Sequence, residues 1–422
     1  MGRYSRRTVL KIGGAATAAG LLPSLASRRA AAQGKPVKLG FLAPISGGME
    51  VMGRPLLDGA QIAVEQINKV GGLNGSPIEL VVRDDHGSAQ GAIAAARDLF
   101  SSDVKLICGN ITTASVLGVA PILKENDAAL ISCSAVADSL THEEYRPNYF
   151  RLCENAYTKY RAQAKLFAEK YPDITNWTGV VTDAANGRSI WIAFVSGLKE
   201  FYPAIAKKQV TIIDPVVTKV GANDFKPQIS QLISSPAQSF LNTTNGADAI
   251  LFFQQANAFR MDDKFKLVAD AGSGWGVPFA LGKRVPASIL MGVFWWYKAY
   301  DNLAMGRQLY ADYVAKTKKT FPDDFFELSH AAVYAYVNAI KAAGSSSTDA
   351  VVGALENIKF ETAKGQRYFR KEDHQCVGDV TFVRMERAEN SERGFEVVEF
   401  IKVDGKDSME PPSPGKAIVF PT

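Results

Sequence analysis

From Val37 onward the chain alternates short, almost wholly apolar segments with longer amphipathic ones, and that alternation constrains its fold more than any other feature. Residues 37–43 read VKLGFLA, the near-continuous apolar run expected of a strand covered on both faces. Residues 56–70 follow, with Leu56, Ile62, Ala63, Ile67 and Val70 close to helical spacing, and GGLNG at 71–75 stops the helix and turns the chain. The pattern predicts strands at 78–84, 105–109, 128–132 and 149–153, with helices at 89–100 and 115–124 between them. A second run predicts helices at 159–170, 189–201, 225–234 and 263–271, alternating with strands at 179–182, 210–213, 249–253 and 278–281. Helices at 303–319, 329–343 and 349–358 come next, and 378–403 alternates like antiparallel strands. Repeated strand–helix units imply parallel sheets with right-handed crossovers, and two such runs imply two lobes. The predicted class is α/β, two doubly wound parallel-sheet lobes. Ligands of such sheets sit beyond the carboxyl ends of the strands, so the loops there are where function is sought.

The first 32 residues are of another kind. They hold Arg3, Arg6, Arg7, Lys11, Arg28 and Arg29 and no Asp or Glu, so the formal charge of +5 becomes −1 without them. A near-neutral body has no electrostatic footprint for nucleic acid. A charged start with Arg6-Arg7, a weakly apolar stretch at 12–22 and small residues ending in Ala30-Ala31-Ala32 make up the three parts of a signal peptide of twin-arginine type. Ser24-Leu25-Ala26 is an alternative cleavage site. Gly13, Gly14 and Gly20 and the lack of an amphipathic stripe argue against an ordinary N-terminal helix. Export to the periplasm is therefore expected, with no lipid anchor on a cysteine, because none lies near the cleavage region. The longest apolar run, at 289–297, is too short to cross a membrane.

Four cysteines, Cys108, Cys133, Cys153 and Cys376, leave disulfides and buried free thiols equally open. Enzyme signatures fail on spacing. Residues 276–283 approach a phosphate loop but carry one residue too many, and there is no G-x-S-x-G, H-E-x-x-H or C-x-x-C. His86, His142, His330 and His374 are scattered and read as surface or capping residues, and Asp84-Asp85-His86 as a turn or cleft wall. No catalysis, cofactor or metal is expected.

One ordered series carries a resemblance. Phe41-Leu42-Ala43-Pro44-Ile45-Ser46-Gly47 is followed by Gly53, Gly59-Ala60, Ile67-Asn68, the 71–75 turn and Ile78-Glu79-Leu80-Val81-Val82-Arg83-Asp84-Asp85. Thr182-Asp183 before Gly187, and Asp224-Phe225 before a helix, continue it. The series resembles the leucine/isoleucine/valine-binding proteins of ABC transporters, the type I periplasmic binding fold, over residues 37–383. The resemblance implies two lobes joined by three hinge crossings near Leu152, Val293 and Gly365. One lobe is then 33–152 plus 293–364 and the other 153–292 plus 365–422. It also implies a monomer that traps a small molecule in the cleft and partners an ABC permease in the inner membrane, without entering the membrane itself.

The same resemblance nominates ligand contacts. Met52 follows the first strand; Asn110, Thr112 and Thr113 follow Cys108; Ser134, Ala135 and Val136 follow Ile131. Asn186 and Gln255 come from the second lobe, Gln255 as the end of a strand at 251–255. Amino-acid binders of the family carry an acid after the strand matched here to 278–281, where this chain reads Gly282-Lys283-Arg284. Lys283 there implies an anionic or neutral ligand, an aromatic or aliphatic carboxylate or an amide, with an amino acid close behind. Within Phe294-Trp295-Trp296-Tyr297 core packing is expected for at least two rings, and Trp295 is placed at the cleft mouth. A transport receptor is the leading reading; a sensory module of the same fold is the alternative, and a hydrolase lacks its nucleophile.

Overall fold

The structure is a computed structural model that describes residues 34–271 and 274–421. The predicted signal peptide lies outside the described residues. Five parallel strands form the first sheet: β1 (Val37–Ala43), β2 (Ile78–Asp84), β3 (Leu106–Gly109), β4 (Ala129–Ser132) and β5 (Tyr149–Arg151), in the order β2-β1-β3-β4-β5. Between them run α1 (Glu50–Lys69), α2 (Ala89–Ser101) and α3 (Thr113–Val119). The helices start where side chains can cap them. Ser88 Oγ accepts from Gly91 N–H at 3.1 Å and Thr112 Oγ1 from Ser115 N–H at 3.0 Å.

The chain then enters α4 (Ala156–Lys170), capped by Asn155, and builds a second sheet from β6 (Asn176–Thr182), β7 (Thr211–Ile212), β8 (Val216–Thr218), β9 (Ser239–Asn242), β10 (Val268–Asp270) and β11 (Ser288–Val293). Its helices are α5 (Ala185–Phe201), α6 (Lys226–Ser234), α7 (Gly246–Ala258) and α8 (Gly276–Leu281). From β11 the chain returns to the first sheet through α9 (Ala304–Thr317), α10 (Phe325–Ala343) and α11 (Thr348–Leu355). A small sheet of β12 (Lys359–Thr362), β13 (Gly365–Phe369) and β14 (Cys376–Val377) leads back to β15 (Val380–Arg387) and β16 (Phe395–Val403). These last two pair antiparallel beside β11, giving the order β16-β15-β11-β10-β9-β6-β7 with β8 also on β6.

Three predicted elements are corrected. The strand at 249–253 is part of α7, the helix at 263–271 is a turn followed by β10, and the strand at 278–281 is α8. Ala249, Phe252, Phe253 and Ala256 are buried at i, i+3, i+4 and i+7, so AILFF is the inner face of a helix; a short apolar run does not distinguish the two states. The real strands there, β9 to β11, are short or follow late, and the whole reading slipped by one element.

α10 covers the first sheet. Tyr336 Oη donates to the carbonyls of Ile107 (2.8 Å) and Ala129 (3.0 Å), 229 and 207 residues away in sequence. α1 and α10 approach so closely at Gly59 that a β-carbon there would stand 1.9 Å from the Phe326 carbonyl oxygen, and Ser329 donates to the Leu56 carbonyl. Where the chain passes between the sheets, two buried ion pairs span the crossings: Lys364–Glu154 at 2.8 Å and Arg367–Glu327 at 3.1 Å. The tail folds back onto the first crossing. Glu410 Oε1 accepts from Asn155 Nδ2 at 2.7 Å, its carbonyl accepts from Arg370 at 2.7 Å, and Gly415 N–H donates to the His142 carbonyl at 2.6 Å.

Only His86 among the histidines is exposed. His142, His330 and His374 are buried, each bonded to the protein: to the Asp138 carbonyl (2.9 Å), Gln66 Oε1 (2.8 Å) and the Tyr149 carbonyl (3.0 Å). All four cysteines are free and buried. Burial pushes the thiols of Cys108, Cys153 and Cys376 up to about 12, and that of Cys133 up as well. A thiol reagent should therefore label none of the four in the native protein within minutes and all four in denaturant; fast native labelling at any of them would contradict this burial.

Candidate functional site

A cavity of about 580 Å³ opens between the carboxyl ends of the two sheets, within the range that takes small organic ligands. Nearly every strand end contributes, as expected for open parallel sheets. From the first sheet come Gly48, Met49 and Met52 after β1, His86 to Ser88 after β2, Ile111 to Ala114 after β3, and Ser134 and Val136 after β4. From the second come Thr182 and Ala184 to Asn186 after β6, Val220 and Gly221 after β8, Thr243 to Asn245 after β9, Ala271 after β10 and Phe294 after β11. Tyr160 of α4 and Phe325 of α10 close the back.

Two adjacent aspartates hold the first wall. Asp84 Oδ1 accepts from the backbone of Ile45 (3.3 Å) and His86 (2.9 Å), and Oδ2 from Ser46 Oγ. Burial raises the Asp84 carboxyl, but those hydrogen bonds outweigh it and leave the group below its ordinary value. Asp85, more deeply placed, is raised by burial; it accepts from Gly87 N–H and Asn110 Nδ2, both at 2.9 Å. Together they pin the loops after β1, β2 and β3 to each other. On the other side, Tyr160 Oη donates to the Ala271 carbonyl at 2.7 Å, fixing the loop after β10 to α4.

Hydrogen-bonding capacity is left over. Thr113 is 3% exposed, and among the described residues its Oγ1 has no partner. Ser134 Oγ makes only a long bond, 3.4 Å, to the Ile111 carbonyl. Thr112 is different: its hydroxyl donates to Gly87 and caps α3. α5 and α7 begin at the cavity with no side-chain cap on Ala184 or Asn245, so their first-turn N–H groups point toward it. The ionisable groups in the lining, among the described residues, are His86, Tyr160 and Asp248. Asp248 is raised by burial and accepts from Gly221 N–H at 2.8 Å. No group of three or more His, Cys, Asp or Glu among the described residues is placed to hold a metal.

Of the residues nominated from sequence, Met52, Thr112, Thr113, Ser134, Val136 and Asn186 line this cavity. Asn110 and Ala135 stand directly behind it, Asn110 as the anchor of Asp85 and Ala135 with its carbonyl toward the Cys153 thiol at 3.8 Å. Gln255, Lys283 and Trp295 are not in the lining. Gln255 lies on α7, where its Oε1 accepts from Phe225 N–H at 2.7 Å. Lys283 is on a turn after α8, because the strand to which it was appended is a helix; the inference from Lys283-Arg284 to the ligand's charge therefore falls. Trp295 is 1% exposed, buried in the second core beside Phe326. Its neighbour Phe294 faces the cavity instead. Sequence reading missed Phe294, Tyr160, Phe325 and the Thr243-Thr244-Asn245 loop. The T-T-N-G ahead of α7 is a helix-start signal that could have placed the last of these.

Residues 36–391 match the family model described as periplasmic binding protein, and residues 3–23 match the twin-arginine translocation pathway signal sequence. The chain is 25% identical over 342 residues to the leucine-, isoleucine-, valine-, threonine- and alanine-binding protein of Pseudomonas aeruginosa, covering 79% of this chain and 85% of that one. Among solved structures it shares its fold with a solute-binding protein from Rhodopseudomonas palustris in complex with benzoate (TM-score 0.74, 18% identity, 91% and 100% of the two chains covered). It shares it equally with a branched-chain amino acid substrate-binding protein from Streptococcus pneumoniae in complex with isoleucine (TM-score 0.74, 21% identity, 87% and 99% covered). No helix among the described residues is long and apolar enough to cross a membrane. The chain is thus a periplasmic protein that belongs to the periplasmic binding protein family.

Proposed function

We propose that the chain is the solute-capturing component of an ABC importer: it closes two lobes over a small organic ligand and presents the closed form to a permease in the inner membrane. The lobes are residues 33–152 plus 293–364 and 153–292 plus 365–422, pivoting as a monomer at the three crossings. The observation that carries this reading is the cavity itself, walled by strand-end loops of both sheets and furnished with an unpartnered, nearly buried hydroxyl at Thr113. Met52, Thr112, Thr113, Ser134, Val136 and Asn186 are the proposed contacts from the sequence, with Tyr160 and Phe294 added from the geometry. Asn110 and Ala135 support the wall from behind.

The ligand class is an amino acid, an amide or an aromatic or aliphatic carboxylate, and the carboxylate is favoured. Uncapped starts of α5 and α7 suit an anion, because their free amides point at it. An ammonium group would need a counter-charge, and the one carboxylate in the described lining, Asp248, is already tied to Gly221 and disfavoured as an anion by burial. No bond is made or broken in this reading. Calorimetric titration with benzoate and with leucine tests it. Binding of either stabilises the fold by about 2.7 kcal/mol at a hundredfold excess over Kd, and scattering should show a smaller radius of gyration in the complex. Turnover of a substrate by the purified protein would overturn it.

A further inference from the structure

Lys159 precedes Tyr160 on α4 and is 0% exposed. Its Nζ stands 3.7 Å from the centroid of the Phe294 ring, and among the described residues it has no hydrogen-bond partner. The side chain reaches that point past Gly292: a β-carbon there would be 2.6 Å from Lys159 Cε, so glycine is what leaves the path open. Phe294 is fixed from the other direction. Its N–H donates to Asp324 Oδ2 at 2.9 Å, and its ring meets Phe325 edge-on at 5.2 Å. Both rings line the cavity. Burial lowers the Lys159 pKa, and the carboxylates of Glu154 and Asp324 oppose that shift. A buried ammonium without hydrogen bonds is costly, and Met or Leu would fill the same space without that cost. The cation is placed against one of the aromatic rings that line the cavity.

We propose that Lys159 is a specificity-determining residue, a cation stationed behind the Phe294 ring that makes the cleft prefer a carboxylate over the matching amide or amine. This rests on the reading of the cavity as the ligand site. The ammonium does not touch the ligand. It acts through its field across one ring thickness, from a side chain closed off from bulk solvent, and at an effective dielectric of about 20 that distance is worth roughly tenfold or more in affinity. The ring and the cation act as a unit: the ring fills the apolar floor and keeps water from the lysine, and the lysine charges the floor.

The test is a panel of benzoate, benzamide, benzylamine, isovalerate, isovaleramide and leucine, screened by thermal shift and titrated by calorimetry against the wild type and Lys159→Met. At least one acid should bind the wild type at least about tenfold more tightly than its amide. Lys159→Met should weaken that acid by about tenfold or more and leave the amide within about twofold. Equal loss for acid and amide would show that the lysine only props the ring, and an unchanged acid affinity would remove its role altogether; either overturns the proposal. Asp324→Asn serves if Lys159→Met does not fold: it removes the opposing charge, keeps an acceptor for Phe294 N–H, and should raise the acid-to-amide ratio. No change in that ratio counts against the proposal. Binding of leucine or benzylamine without any acid overturns this inference alone, whereas no response from any compound overturns the cavity as ligand site and the inference with it.

Discussion

Arg367→Met is expected to lower the stability of the folded chain by about 3–5 kcal/mol. The guanidinium and the Glu327 carboxylate meet at 3.1 Å with side chains 3% and 0% exposed. Burial alone would depress the Arg367 pKa; the Glu327 charge, with smaller contributions from Cys376, Glu154 and Tyr300, opposes that, and together they leave it raised. Removing the arginine leaves the carboxylate of Glu327 in a place where water cannot reach it. The loss is therefore the cost of the abandoned charge, not the worth of the pair. The double variant Arg367→Met with Glu327→Met follows from the same reasoning and should recover most of the loss, since two apolar side chains of similar length replace two charges. Urea unfolding midpoints of the three proteins decide it. A single variant as stable as the wild type would mean that the crossing relaxes enough to admit solvent.

Gly48→Phe is expected to weaken ligand binding by about a hundredfold, close to 2.7 kcal/mol, with little change in the unfolding midpoint. Gly48 sits on the turn after β1, and a β-carbon there would be 3.5 Å from Ala247 Cβ on α7. One residue earlier on α7, a β-carbon on Gly246 would be 2.8 Å from the Gly48 carbonyl oxygen and 2.9 Å from Met49 Sδ. The first sheet's loop and the second sheet's helix thus touch across the cleft mouth through backbone, with no room for a ring. A phenylalanine must either hold the two apart or swing outward. Titration with whichever acid or amino acid binds the wild type gives the affinity, and unchanged affinity would show that the mouth is not part of closure.

The first sheet could be read almost element by element because its strands are short runs with clear ends: β1, β3 and β4 are largely buried and apolar, and β2, mostly half-buried, is bracketed by GGLNG before it and Asp-Asp-His-Gly at its end. The same reading failed from Ser239 to Val293 for an identifiable reason. β9 and β10 are four and three residues long and carry Ser239, Asn242 and Asp270, which are buried because they are hydrogen-bonded: Ser239 Oγ to the Leu267 carbonyl at 2.7 Å, and Asn242 Nδ2 to Asp270 Oδ1 at 2.8 Å. Polar strands and an apolar helix exchange their sequence signatures, and no pattern within the segment reveals it. The candidate site inherits that boundary. Met52, Thr112, Thr113, Ser134 and Val136 fell at correctly read strand ends, whereas Gln255 and Lys283 were attached to strands that do not exist. The choice of Trp295 over Phe294 is a matter of parity: neighbours on an extended crossing face opposite ways, and a run of four aromatics does not say which faces the ligand. Lys159 left no trace in the sequence, because its meaning depends on Gly292 and Phe294, more than a hundred residues away.

The hold of α10 on the first sheet bears on how the chain matures during synthesis. Five strands emerge from the ribosome first, yet the helix whose Tyr336 closes their carbonyls is translated some two hundred residues later, and the Glu410 clasp on the first crossing comes later still. Neither half can finish as a vectorially folding unit while its cover is unmade, and contacts of such long sequence separation form slowly. Until α10 is made, the face of the first sheet that it covers lacks that cover, so completion of this lobe is tied to residues far along the chain.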